Sequence, residues 1–152
     1  MPTTLANIRT QIKAKLDGIT GIGVVNDYER YAKSQSEFKG FYLDTDKILG
    51  WHIRRVNKKE TRPYLGRWVI VNEWRLRGYM SIDDAAASEK TFDDLIESIG
   101  DAFKADDTLT GTIDTMVVNN DTGITLLKSQ PVMLAGVLCH AAELQLYTRH
   151  YE

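Results

Sequence analysis

The sequence predicts a single-domain α+β fold, with a mixed or antiparallel β-sheet containing a long hairpin and packed against an N-terminal helix and a central helix. Three observations predict it. From Trp68 to Ile82 the residues alternate: Trp68, Ile70, Trp74, Leu76, Met80 and Ile82 point one way, and Arg67, Glu73, Arg75, Arg77 and Ser81 the other, with only Asn72 and Gly78 out of pattern. A period of two over this length means a long strand with one buried face. Next, Phe92, Leu95, Ile96, Ile99 and Phe103 fall on one stripe of an amphipathic helix, which must cover that face. A second helical stripe, Leu5, Ile8, Ile12, Leu16 and Ile19, lies near the start of the chain.

Taken in order, the first helix has Thr3 or Thr4 as its N-cap, and Gly18 stands where a left-handed residue would stop it. Val24–Tyr31 reads as a strand with polar interruptions, and Lys33–Lys39 as a loop or insertion. Phe41-Tyr42-Leu43 is a strand fragment ended by Asp44-Thr45-Asp46. Those two aspartates do not start a calcium loop, because Lys47, Ile48 and Leu49 stand where further ligands and a glycine are needed.

Ile48–Asn57, a strand carrying a bulge, and Arg67–Tyr79 are the two arms of an antiparallel hairpin. Its loop is Lys58-Lys59-Glu60-Thr61-Arg62-Pro63, where Pro63 excludes a central strand position. Ser88 caps the central helix, and Asp106-Asp107 ends it. Thr112–Val118 is β-rich, Asn119–Gly123 is a turn by composition, and Ile124–Leu127 returns as a short strand before Pro131 interrupts. Val132–Tyr151 reads as a strand, with Leu138, His140, Ala142, Leu144 and Leu146 on one face.

The bulk numbers place the chain among ordinary soluble domains. Its 152 residues suffice for one core without disulfides or metals, so residues 1–152 form one domain. With 19 basic and 21 acidic residues the formal net charge is −2, and no global field draws it to nucleic acid or anionic lipid. The single Cys139 has no partner for an internal disulfide. No apolar run approaches the roughly 20 residues of a membrane helix, and the N-terminus lacks a signal-peptide pattern. The expectation is a soluble protein made in a reducing compartment, with no membrane association.

Residue patterns that carry chemistry are missing. His52, His140 and His150 lie far apart, and on a strand His140 and Glu143 face opposite ways, so they form no metal pair. Cys139 reads as a small buried hydrophobe. The pairs Asp83-Asp84, Asp93-Asp94 and Asp106-Asp107 are neighbours that project about 100° apart on a helix, which suits solubility rather than acid–base work. Gly21-Ile22-Gly23 is far short of a phosphate loop, and no nucleophile elbow is present. Trp51, Trp68 and Trp74 read as core anchors. The reading is therefore of a non-enzyme with no catalytic, metal or cofactor site.

Two surfaces stand out instead. Arg54, Arg55, Lys58, Lys59 and Arg62 make the hairpin the strongest local charge feature, either a solvated loop or a contact for an acidic partner or phosphates. On the wet face of the hairpin, Arg67, Val69, Val71, Glu73, Arg75 and Tyr79 include apolar residues where solvent is expected, which argues for a partner.

The order of elements resembles a known family. An amphipathic helix ending at Leu16-Asp17-Gly18 precedes β-hairpins, then a helix Ser88-Glu89-x-x-Phe92-x-x-Leu95-Ile96-x-x-Ile99. Thr108-Leu109-x-Gly111 then leads to a closing strand, Gly136–Leu146. From Leu5 to Tyr151 this resembles the tail-terminator (tail-completion, minor tail) proteins of long-tailed bacteriophages. The resemblance implies a structural virion protein, made in the bacterial host cytoplasm and placed at the head-proximal end of the tail. Such a subunit forms a homohexameric ring that caps the tail tube protein and joins the head connector protein. DNA passes through its lumen without sequence-specific binding, and no cofactor is involved. A ring needs two different patches per subunit, for which the candidates are the wet hairpin face and the polar face of the Ser88–Phe103 helix. The alternatives are a head–tail connector or neck protein of the same assembly, and a nucleic-acid-binding α+β module using the basic hairpin.

Overall fold

The computed structural model describes residues 4–30, 34–44, 47–116 and 123–152. Its elements are α1 (Leu5–Asp17), β1 (Val24–Asn26), α2 (Gln35–Gly40), β2 (Leu43–Asp44), β3 (Lys47–Tyr64), β4 (Arg67–Ser81), a short 3-10 turn (Asp84–Ala86), α3 (Ser88–Ala105), β5 (Thr125–Leu134) and β6 (Val137–Tyr151). The sheet order is β1-β3-β4-β6-β5, with β2 paired to β3. All pairings are antiparallel except β1 with β3, so the α+β fold carries a mixed sheet.

Helices α1 and α3 cover one face of this sheet. Ile8, Ile12 and Leu16 meet Phe92, Leu95, Ile96, Ile99 and Phe103 over Trp51, Ile53, Trp74, Leu76, Ala142, Leu144 and Leu146. Both stripes are thus used as their periodicity predicts. Asn72 and Gly78, the two breaks in the β4 alternation, face the same buried layer. Gly78 lies opposite Trp51 on β3, and the indole occupies the space a side chain at position 78 would need. Trp74 Nε1 donates to Thr148 Oγ1 at 3.0 Å, so the core turns polar toward one end of the sheet. A smaller cluster lies on the other face, where α2 and the residues after it pack Tyr42 against Ile48, Leu134 and Cys139.

Several elements differ from the sequence expectation. Thr4 caps α1 as expected, but Gly18 keeps a right-handed conformation (φ −77°) and the left-handed residues come later, at Gly21 and Gly23. The strand expected over Val24–Tyr31 stops at Asn26, because the chain turns away and Glu29 reaches Arg54 and Arg77; Tyr31 lies outside the described residues. Within the segment expected to be a loop, Ser34 accepts the Glu37 N–H and starts α2, while Lys33 lies outside the described residues. Of Phe41-Tyr42-Leu43 only Leu43 is in a strand, since Tyr42 is buried as a packing residue, and Thr45 and Asp46 are not among the described residues.

Lys58–Pro63 is not a loop. β3 runs on to Tyr64 and the turn is Leu65-Gly66. The strand irregularity expected near Val56 is present between Arg55 and Asn57. A second irregularity spans Thr61 to Tyr64, which lets Pro63 sit without breaking a ladder bond on a strand that has no outer neighbour there. Trp68 is not a core anchor: it is 43% exposed, because the helical cover ends before it.

Ser88 does not cap α3. Ala87, left-handed at φ 54°, occupies that position, and Ser88 is the first helical residue. Thr112–Met116 forms no strand beyond one bridge from Thr115 to Arg149, and the expected turn over 119–122 lies outside the described residues. Pro131 does not interrupt β5, because β5 is an edge strand, where a residue without an N–H is tolerated. Val132–Tyr151 is β-structure as expected, folded at Ala135-Gly136 into the end of β5 and all of β6. Leu138, expected on the apolar face, is exposed beyond that turn.

Candidate interface surfaces

Among the described residues, the face of the sheet opposite α1 and α3 is left bare over most of its length, with α2 over one end. On β4 it carries Arg67, Val69, Val71, Glu73, Arg75, Arg77 and Tyr79, and the register sets Tyr151, Arg149, Tyr147, Gln145, Glu143 and Ala141 of β6 beside Val69 through Tyr79. The structure therefore puts the whole predicted set Arg67, Val69, Val71, Glu73, Arg75 and Tyr79 on one surface. It also shows what each does there. Arg75 bridges Glu73 at 2.8 Å and Glu143 at 3.2 Å, and Arg77 reaches Glu143 at 3.3 Å and Glu29 at 3.5 Å. Gln145 Nε2 donates to Glu73. Arg67 lies over the Tyr151 ring, 4.3 Å from its centroid. Tyr79 belongs to the α2-covered end, packed edge-on against Tyr42, and burial pushes its hydroxyl pKa up.

Two shallow clefts lie on this bare face. One, of about 290 Å³, is bounded by Asn57, Lys59, Val71, Glu73, Tyr147 and Arg149. The other, of about 320 Å³, lies between β4, β6 and β5 and includes Arg77, Lys128, Gln130 and Glu143. Acids and bases are mixed in both, so neither presents a field of one sign.

The basic hairpin is not one patch. Arg54 pairs with Glu29 at 2.9 Å and Lys58 pairs with Glu60. Arg55 faces the α-helical side and contacts Asn72 Oδ1 at 3.5 Å, while Lys59, opposite Val71, faces the bare side. Arg62 lies over Trp68 at 5.6 Å. The five cations are divided between two faces and two are neutralised, which is a poor match for a row of phosphates.

Two buried polar pairs escaped the sequence reading. His52 Nδ1 is 2.8 Å from the Tyr42 hydroxyl, while its Nε2 is buried without a partner among the described residues. Burial lowers the His52 pKa to about 4, so the ring is neutral, and burial raises that of Tyr42. Ser88 Oγ accepts the Asp83 N–H at 2.8 Å and stands 2.8 Å from His140 Nε2, whose ring stacks on Phe92. This pair clasps the start of α3 to β6. His140 and Glu143 do face opposite ways, one toward Ser88 and the other toward Arg75 and Arg77. Cys139 is fully buried, and among the described residues no three His, Cys, Asp or Glu side chains group as metal ligands. None of the described helices is long and apolar enough to cross a membrane. The sequence offered no signal for either pair, since each joins residues that only the fold brings together.

No protein-family model matches the chain, and no curated protein matches it.

Proposed function

We propose that this chain is a structural assembly protein of a long bacteriophage tail, a ring-forming tail terminator that caps the tail tube and meets the head connector. The resemblance in element order supplies the family. The observation that carries the reading to a self-associating subunit is the bare sheet face, where Val69, Val71, Tyr147 and Tyr151 sit among ion pairs and none of the described elements covers them. A sheet that the described residues cover fully on one side and only at the α2 end of the other, with β5 at its edge, is a surface that another polypeptide completes. The divided and partly neutralised cations of the hairpin favour this reading over a nucleic-acid module.

Light scattering and negative-stain microscopy of the purified protein test it. Rings with a central hole and a mass near six times the 17.2 kDa subunit are the expected result. Binding of those rings to tail tubes rather than to head connectors alone separates a terminator from a neck protein. A monomer at all concentrations that also ignores added tail tubes overturns the proposal.

A further inference from the structure

The hairpin continues past the helical cover and ends at Leu65, which is 98% exposed, beside the half-exposed Trp68. Around this end Lys59, Arg62 and Arg67 have no acidic partner among the described residues. On the other side of the molecule, the outward row of α3 carries Glu89, Asp93 and Glu97, exposed and without basic partners among the described residues. Beside that row a groove of about 210 Å³ runs between α3 and the start of β5, bounded by Ile96, Glu97, Gly100, Ile124 and Leu126. Ile96, Ile124 and Leu126 supply its apolar part, and its charged rim is Glu97 together with Lys104, which pairs with Asp101.

We infer that the hairpin end of one copy docks in the α3–β5 groove of a second copy, with Leu65 in the groove and the hairpin cations against the acidic row. This rests on the ring reading above and names its contact. The lengths agree: Glu89 to Glu97 spans about 12 Å at 1.5 Å per helical residue. On the hairpin, Lys59 pairs with Val71 and shares the bare side with Arg67, four residues before Val71 on β4, a span of about 13 Å at roughly 3.3 Å per strand residue, while Arg62 stands by Trp68 on the other side. The two patches are different and lie on different elements, so each copy can offer one to the copy before it and the other to the copy after it, the head-to-tail contact that a ring requires. Among the described residues neither patch is ion-paired, whereas the charges of the bare sheet face already pair with one another. An exposed tryptophan next to arginine is also the residue chemistry in which binding energy concentrates at interfaces.

Charge reversal tests the inference. One variant carries Lys59→Glu, Arg62→Glu and Arg67→Glu; a second carries Glu89→Lys, Asp93→Lys and Glu97→Lys; a third carries all six. Every position is exposed, and circular dichroism with thermal melting verifies that each variant folds. The expected result by light scattering is a ring for the wild type, 17.2 kDa monomers for each three-site variant, and a ring again for the six-site variant or for an equimolar mixture of the first two. A wild-type ring that survives both reversals overturns the contact and leaves the ring standing. Loss of the ring in both variants without restoration in the six-site chain overturns the pairing of these two patches. A wild type that is monomeric at hundreds of micromolar and also ignores added tail tubes overturns the contact and the ring together.

Discussion

Replacing Gly78 by alanine tests the packing of the sheet against α3. A Cβ at position 78 falls 2.3 Å from Trp51 Cδ2 and 2.4 Å from its Cε2, more than 1 Å inside ordinary contact. The indole cannot retreat. It is fully buried, and its far side is stacked on Phe92 with ring centroids 5.9 Å apart. Phe92 in turn stacks on His140 at 5.8 Å, so displacement passes to the clasp at the start of α3. Overpacking of a tight core costs about 1–3 kcal/mol, and a rigid bicyclic ring held on both sides belongs at the top of that range. Gly78→Ala is therefore expected to cost about 3 kcal/mol, offset slightly by the reduced freedom of the unfolded chain. In urea the midpoint falls without a change in slope, and the melting temperature drops by about 6–12 °C. Trp51→Leu opens the space, so the double variant loses less than the sum of the two single changes. A loss below about 1 kcal/mol for Gly78→Ala, or strict additivity in the double variant, refutes this account of the core.

Other outcomes follow from the same structure. The β5–β6 turn holds Ala135 at φ 49° and Gly136 at φ 81°, a two-residue turn that favours Asn-Gly, so Ala135→Asn stabilises by about 1 kcal/mol in urea titration. Ser88→Ala removes the acceptor of the Asp83 N–H and the partner of His140, at a cost of about 1–2 kcal/mol read from the same titration. His52 has a folded pKa near 4 against about 6.5 unfolded, so its contribution to stability is complete above pH 6.5 and is lost as pH falls toward 4. It amounts to about 2.5 kcal/mol lost by pH 4.5, and His52→Leu flattens that slope of stability with pH. Asp106, lowered to about 2 chiefly by the Thr110 N–H and then by Thr108, holds the turn after α3. Protection of the Thr108 and Thr110 amides, their exchange relative to the intrinsic rate at the same pH, falls as pH drops through that range, and falls at neutral pH in Asp106→Ala.

The parts of the fold legible in the sequence are those where one face is wet and the other dry. β4 and α3 alternate or repeat because the α1–α3 layer buries one side of each, and the end of the chain reads as strand for the same reason. The hairpin end reads as a loop because neither face of Lys58–Pro63 is covered, so no alternation marks it as strand. Trp68 shows the complementary limit: period gives the face a residue is on, not how far the covering helices reach. Pro63 and Pro131 read as breaks, yet both lie where a strand has no outer neighbour, a fact that depends on sheet order. The bare face was legible as a set on one strand. Its acids Glu29 and Glu143 come from outside β4: the β4–β6 register brings Glu143 to Arg75 and Arg77, and the segment after β1 brings Glu29 to Arg77.

That pairing bears on how the surface could serve a ring. Covering a charge with protein costs the water it loses, and the cost is greatest for a charge without a neighbour of opposite sign. On the bare face Glu143 serves two arginines and Glu29 serves Arg77 and Arg54, so little is left to desolvate when another chain lies across it. The hairpin end and α3 are the reverse case, with exposed charges that gain only by meeting opposite ones, which sets orientation and suppresses wrong pairings more than it adds affinity. On the ring reading, the sheet face tolerates a neighbour and the two charged ends choose it. Glu143→Gln separates these tasks. It removes a carboxylate shared by Arg75 and Arg77 and leaves the hairpin and α3 untouched, so assembly weakens while its head-to-tail direction, read by cross-linking hairpin to α3, is retained. Cross-links that shift to other surfaces in Glu143→Gln would show that the sheet face, not the charged ends, sets the direction.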